Sequence, residues 1–482
     1  MYNHRTYLSR FTALKLKTKL CTFATLSILA LSGCASGPDF AEPAMPKIAD
    51  GSFINQSSQT DSQQPLPENW WELYDDLALN GYIQEALSAN TDLRIAIANL
   101  DRARAIYNES RSELYPSTDI SAGASYGRDQ TSWGGAGKAP KQWSYSGGLD
   151  ISYELDFFGR VKRDLEAASR DTDAVAAAYD LTRVIIIAEL TRAYVDSCAY
   201  GESIEVAQSS IELAQKSLSI IQSQQQAGSA SNLDVERAGL TLALAEADLP
   251  LLKNKKNASL FELVALMGRT PAQIPDAAKA CRKAPDVIGV LPIGDGTALL
   301  KRRPDIRQAE NQLAADTARI GVAIADLYPH VTLGASANYL RNDNLKGNRT
   351  FSFGLGPLIS WSFPNTVVVR SHIAQAKAQS AASLANFDGV VLNALKESEQ
   401  SLSAYVSAME QRDLLIRARS HAESAFKMAD LRYKGGSISY LDVLDAQTSF
   451  INTRSKVAAA DQQVGSARIS VFKSLGGGWN NK

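Results

Sequence analysis

The chain has 482 residues and a formal net charge of −1, with no excess of the basic residues that phosphate recognition needs, which argues against nucleic acid as a partner. Its four histidines and four cysteines show no metal-ligand spacing, and no phosphate loop or nucleophile elbow is present, so an enzyme has little to stand on. Beyond the first 33 residues no run of about eighteen apolar residues occurs, which excludes a membrane-spanning helix.

Residues 1–33 read as a targeting segment. Arg5, Arg10, Lys15, Lys17 and Lys19 form a basic region, and Leu20 to Leu31 is apolar but short for a span. Leu31-Ser32-Gly33-Cys34 then matches a bacterial lipobox. That motif implies cleavage before Cys34 and acylation there, with N-acyl and diacylglycerol groups as the only non-protein parts; a plain signal peptide with an incidental cysteine is the bland alternative. Ala35, rather than Asp, follows the cysteine, which favours outer-membrane over inner-membrane residence. Loss of the five basic residues takes the net charge from −1 to about −6. Residues 34–69 then form an acylated linker.

From Asn90 the chain states one pattern twice. Residues 90–126 align without a gap on 303–339, Asp92-Leu93-Arg94 on Asp305-Ile306-Arg307 and Leu114-Tyr115-Pro116 on Leu327-Tyr328-Pro329. Each half (70–280 and 281–475, with a tail at 476–482) reads as helix, two strands, long helix, tight turn, helix. A unit used twice forms a wall that one copy cannot close.

The strands, at about 117–128, 142–157, 330–340 and 350–363, alternate. Trp143, Tyr145, Leu149, Ile151 and Tyr153 share one face, with Ser144, Ser146, Asp150 and Ser152 on the other. Phe351, Phe353, Leu355 and Ile359 repeat this, and Ile120 to Tyr126 and Val331 to Tyr339 follow more weakly. A soluble sandwich would give the same alternation. Aromatic residues near the strand ends and polar connections at 127–141 (with Gly134, Gly135 and Gly137) and 340–349 favour an outer-membrane barrel. Four strands cannot close a barrel and an open edge is not tolerated in lipid. A trimer sharing twelve strands around a wet lumen follows.

No proline lies between Lys141 and Leu249, or after Pro364. The runs 160–227 and 366–434 therefore read as helices of nearly seventy residues, each on the order of 100 Å long. Each ends in a glycine turn (Gly228-Ser229; Gly435-Gly436-Ser437) and resumes as a second helix with Asp234 or Asp442 near its start, giving helical hairpins over about 159–267 and 365–475. Cys198 and Cys281 could pair in an oxidising compartment; two unrelated buried thiols is the reading adopted from sequence.

With these features in hand, the chain resembles the TolC-like outer-membrane factors, in particular the lipoprotein branch serving tripartite efflux pumps with RND-type inner-membrane transporters. The resemblance rests on Trp70-Trp71-Glu72-Leu73-Tyr74-Asp75-Asp76, Asn90-Thr91-Asp92-Leu93, Glu154-Leu155-Asp156-Phe157-Phe158-Gly159-Arg160, both Leu-Tyr-Pro motifs and the run from Arg432 to Gln447. It covers nearly the whole mature chain. It implies an α+β membrane protein: a homotrimer with a twelve-stranded outer-membrane barrel, continued by a periplasmic α-helical barrel with an equatorial belt. A periplasmic adaptor (membrane fusion) protein would dock at the tips, at Gly228, Ser229, Gly435, Gly436 and Ser437. The family's closed aperture falls on Leu441 and Asp445, with Tyr433 and Lys434 on the preceding turn. Its later basic partner falls on Thr448, so that salt bridge is lost; Arg237, the repeat counterpart of Asp445, is the candidate replacement, and solvated helix-face charges are the bland alternative. A duct for ABC-driven protein secretion is the second reading, and an adhesin-like stalk a third, which the polar strand faces disfavour.

Overall fold

The computed structural model describes residues 35–43, 53–54, 60–64, 66–128, 137–287, 289–294, 302–364 and 366–478. The signal segment, Cys34, Gly134, Gly135 and residues 479–482 of the tail lie outside them. The main helices are α1 (Leu77–Ala89), α2 (Thr91–Ser112), α3 (Arg160–Gln226), α4 (Asn232–Leu266), α5 (Pro304–Ala325), α6 (Val367–Lys434) and α7 (Tyr440–Ser474); the main strands are β1 (Ser117–Gly127), β2 (Gln142–Leu155), β3 (His330–Arg341) and β4 (Phe351–Ser360). Two compact units divide the chain, residues 1–42, 101–174 and 309–386 in one, 43–100, 175–308 and 387–482 in the other. Each draws on both repeats.

The first unit holds a four-stranded antiparallel sheet in the order β1-β2-β3-β4. Its register sets the apolar residues opposite one another: Tyr126 pairs with Trp143, Ile120 with Leu149, Leu149 with Ala337 and Phe353 with Ala337. That face is bare in the chain, with Ile120 81%, Phe353 79% and Leu355 76% exposed, where a soluble sandwich would have covered it. The opposite face pairs Asp119 with Asp150 and Ser336 with Gly354. Leu340 and Leu358 break the alternation, opposite Ser146 and Thr332. Aromatic rings gather at the loop end (Trp143 between Tyr126 at 5.5 Å and Tyr145 at 6.3 Å) and just past the other (Trp361 on Phe363, 4.7 Å).

Two strands end earlier than the alternation suggests. β2 stops at Leu155 because Asp156 turns its carboxylate onto the N–H groups of Val161 (3.2 Å) and Lys162 (2.9 Å), capping α3. β4 stops at Ser360; the Trp361 indole donates to the Leu327 carbonyl (3.1 Å) instead of extending the ladder. Residues 35–39 are held at this foot of the sheet. Ser36 donates to the Phe158 carbonyl from its N–H (3.2 Å) and hydroxyl (2.7 Å), and buried Arg163 grips the Ser36 carbonyl (3.0 Å) and Asp39 (2.6 Å). Gly159 has φ +76°, and a Cβ there would stand 2.7 Å from Ala35 Cα, so only glycine fits.

The second unit buries the tryptophan motif. Trp70 is fully buried and stacks on Phe472 at 4.7 Å, with Trp71, Tyr74, Leu79 and Ile83 beside it. Asp76 caps α1, accepting from Ala78 and Leu79 and from the Tyr194 hydroxyl (2.9 Å). Asn90 likewise caps α2 and donates to the Leu266 carbonyl (2.8 Å). The reading of two separate thiols is corrected: Cys198 and Cys281 form a disulfide, and only Cys198 is fully buried. They lie 83 residues apart, a separation that carries no pairing signal. What brings them together is Gly201, where a Cβ would stand 2.3 Å from the Cys281 carbonyl; the missing side chain lets the linker after α4 lie on α3. Lys256 then donates to the carbonyls of Lys279 (2.9 Å) and Cys281 (3.0 Å).

Candidate functional site

Both hairpin turns have the same construction. α3 ends with the N–H of Gly228 on the Gln225 carbonyl (3.0 Å) and that of Ser229 on the Gln224 carbonyl (2.9 Å); α6 ends with Gly436 on Tyr433 (2.8 Å) and Ser437 on Arg432 (3.0 Å). This is the Schellman pattern, with φ +79° at Gly228 and +72° at Gly436. Gly435 precedes the left-handed residue and does not share its conformation. Two residues further on, Ser231 and Asp234 form a capping box for α4, and Ser439 and Asp442 form one for α7. The two turns project Gly228, Ser229, Gly436 and Ser437 into solvent.

The tips are tied to one another. The Tyr433 hydroxyl donates to Gln224 Oε1, and the Ser217 hydroxyl donates to Gln447 Oε1 at 2.7 Å, with Gln447 fully buried. Tyr433 also meets Tyr440 edge-on at 5.5 Å. Gln224 and Ser217 are partners that sequence reasoning missed; among several glutamines and serines nothing singles them out. Lys434 is turned to Asp430 on its own helix (2.7 Å), an exposed pair.

Arg237, Thr241, Leu244 and Asp248 of α4 line one cleft with Leu441, Asp445 and Thr448 of α7. The structure therefore brings Arg237, Leu441 and Asp445 to one place. Among the described residues, Arg237 and Asp445 close no ion pair within the chain. Leu441 and Asp445 are both exposed.

A sheet with a bare apolar face and two free edges, joined in one chain to helical hairpins with 67- and 68-residue first arms, defines one subunit of an outer-membrane channel. The family model for outer membrane efflux proteins matches residues 82–269 and 297–477, and the chain belongs to that family. The solvent efflux pump outer membrane protein SrpC of Pseudomonas putida is 29% identical over 469 residues, covering 96% of this chain and 99% of its own length. The cation efflux system protein CusC of Escherichia coli O157:H7 is 27% identical over 94% of this chain and 97% of its own. Among solved structures the outer-membrane channel OprN superposes with a TM-score of 0.84 at 32% identity, over 92% of this chain and all of that one. The fold is that of these channels, a trimeric outer-membrane β-barrel with four strands from each chain and a periplasmic helical barrel, and the function is that of an export duct of an efflux system. The family is one of transport conduits.

Proposed function

We propose that the chain is the lipid-anchored duct of a tripartite pump, passing small molecules from a periplasmic adaptor and an RND-type inner-membrane transporter to the exterior. The observation that carries this is the pair of matched, solvent-facing turns beside a cleft that holds Arg237, Leu441 and Asp445. Relatives named for solvent and cation efflux favour small molecules over polypeptides as cargo. Acylation at Cys34 is supported by its neighbours: Ala35 and Ser36 lie at the foot of β2, where acyl chains could enter the adjacent leaflet. No covalent chemistry is required, and the energy comes from the pump.

In the closed duct, three copies of Asp445 form an acidic ring and three of Leu441 an apolar constriction, with Arg237 of a neighbouring hairpin as the latch. Tyr433 and Lys434 border it, and docking at Gly228, Ser229, Gly435, Gly436 and Ser437 spreads the tips. Bilayer conductance tests the gate: Asp445→Ala channels should conduct several-fold more at rest, and an unchanged closed state would sink this assignment. In-cell crosslinking from cysteines at positions 229 and 437 tests the partners. An adaptor captured with a proton-driven pump supports small-molecule efflux. An adaptor linked to an ABC transporter moves the chain to protein secretion, and efficient crosslinking without an envelope partner rejects the exposed-tip docking surface.

A further inference from the structure

The two hairpins align residue for residue at an offset of 208, Gly228 on Gly436 and Ser231 on Ser439, and α4 and α7 are both 35 residues long. Their charges diverged in two different ways. Between the first arms, α3 and α6, five equivalent positions are charged in both, and all five keep their sign, Asp180/Asp388 and Glu202/Glu410 among them. Between the second arms the Asp234/Asp442 caps also keep theirs. The other four doubly charged positions are all reversed: Arg237/Asp445, Glu246/Arg454, Asp248/Lys456 and Lys253/Asp461. Among the described residues only Asp461 of these eight closes an ion pair in the chain, with Arg412.

Geometry gives the reversal a direction. Eleven residues are close to three helical turns, so Arg237 and Asp248 share a face of α4, and Asp445 and Lys456 share a face of α7. The first face reads positive then negative away from the tip, and the second reads negative then positive. α4 and α7 already lie side by side along the cleft that holds Arg237, Asp248 and Asp445. The Tyr433–Gln224 bond sets the two tips level, so equivalent positions stand at nearly equal height. Asp248, Asp445 and Lys456 are nonetheless exposed, and among the described residues none of them closes an ion pair.

We propose that the reversed charges are a pairing code between copies of this chain. Arg237 and Asp248 of α4 in one copy face Asp445 and Lys456 of α7 in the next, repeating across each chain boundary the α4–α7 neighbourhood seen within one chain. Opposite charges at equal height favour α4 beside α7. Contacts of α4 with α4, or of α7 with α7, would set like charges opposite one another and are disfavoured. The charges thereby add a register to the alternation of hairpins that closure of three such chains into one ring already imposes. The inference rests on the trimeric duct reading and names the residues that order it.

The test pairs two differently tagged full-length chains in one cell, one with Asp248→Cys and one with Lys456→Cys, oxidised in place. Linked dimers carrying both tags are expected, with links between two Asp248→Cys chains about fivefold rarer, the ratio that the one remaining Arg237–Asp445 contact against one repelled Arg237 pair would give. Separately, Asp248→Lys and Lys456→Asp should each lower recovered trimer about fivefold, the factor one exposed ion pair can supply, and the double reversal should return it to within about twofold. Same-tag links as frequent as mixed ones, no mixed link in a verified trimer, or a double reversal no better than the worse single one would each overturn the code. Native mass of the unaltered complex is measured first. A mass other than three chains removes the trimeric reading itself, a result distinct from failure of the code.

Discussion

At Gly228 and at Gly436 the chain makes the same turn with the same hydrogen bonds, followed by the same serine–aspartate capping box, yet the side chains around the two turns have little in common. In the first, Gln225 Nε2 donates to Asn232 Oδ1 at 3.0 Å. At the equivalent pair of the second stand Tyr433 and Tyr440, packed edge to face, with the exposed Lys434–Asp430 pair beside them. The difference separates what a turn needs from what a tip does. Backbone reversal depends on a left-handed glycine and a cap and was kept in both copies. The surface around it was free to diverge, and the second tip gained the aromatic and charged groups proposed to border the aperture.

A sharper contrast lies along the first arms. Gly201 of α3 and Met409 of α6 are equivalent, but the linker crosses only at Gly201, where a Cβ would meet the Cys281 carbonyl at 2.3 Å. Making the first hairpin like the second should therefore be the most damaging exchange. Gly201→Met is expected to cost about 3 kcal/mol, since backbone rather than a flexible side chain must move. It should also slow closure of the Cys198–Cys281 bond. Thermal unfolding of the purified protein, with thiol alkylation of the newly exported chain, checks both. A variant of unaltered stability with a complete disulfide would show that the linker does not depend on this close approach.

The turns themselves should behave alike. Gly228→Ala and Gly436→Ala each place a Cβ on a left-handed residue with open space around it, so the effect is conformational and about 1 kcal/mol in either hairpin. Hydrogen exchange at the last turn of α3 and of α6 reads it locally. Unequal losses would mean that one tip is held by contacts beyond its own cap.

Element types and most boundaries were legible because glycine and proline punctuate long periodic runs. The strands showed their faces through alternation and the helices through uninterrupted length. What sequence could not give was contact across large separations. Asp156 reads as one more polar strand residue until its carboxylate is seen capping α3. Cys198 and Cys281 carry no pairing signal, and the clue to their approach was Gly201, a single glycine in a long helix. Of the candidate site, Arg237, Leu441 and Asp445 were reached by repeat alignment and resemblance, and the structure gathers them in one cleft. Gln224 and Ser217 were unreachable, because their roles depend on how two hairpins meet.

The smallest expected effect distinguishes an acid-sensitive cap from a merely well-shaped one. The Ser231 hydroxyl and N–H both donate to the Asp234 carboxylate, at 2.7 and 3.0 Å, and hold its carboxyl below the ordinary aspartate value. The folded value is thus below the unfolded one, about 3.9. The stabilisation is complete above the unfolded value and is lost as pH falls through the folded one. Asp234→Asn removes the charge that faces the start of α4. The difference between parent and variant in protection of the first turn of α4, by hydrogen exchange corrected for intrinsic rates, should therefore shrink as pH is lowered from about 5 to about 3. A difference that stays constant over that range would mean the cap works through its hydrogen-bond geometry with no contribution from ionisation. The shared serine–aspartate pair of both tips would then be a shape kept by duplication rather than an electrostatic device.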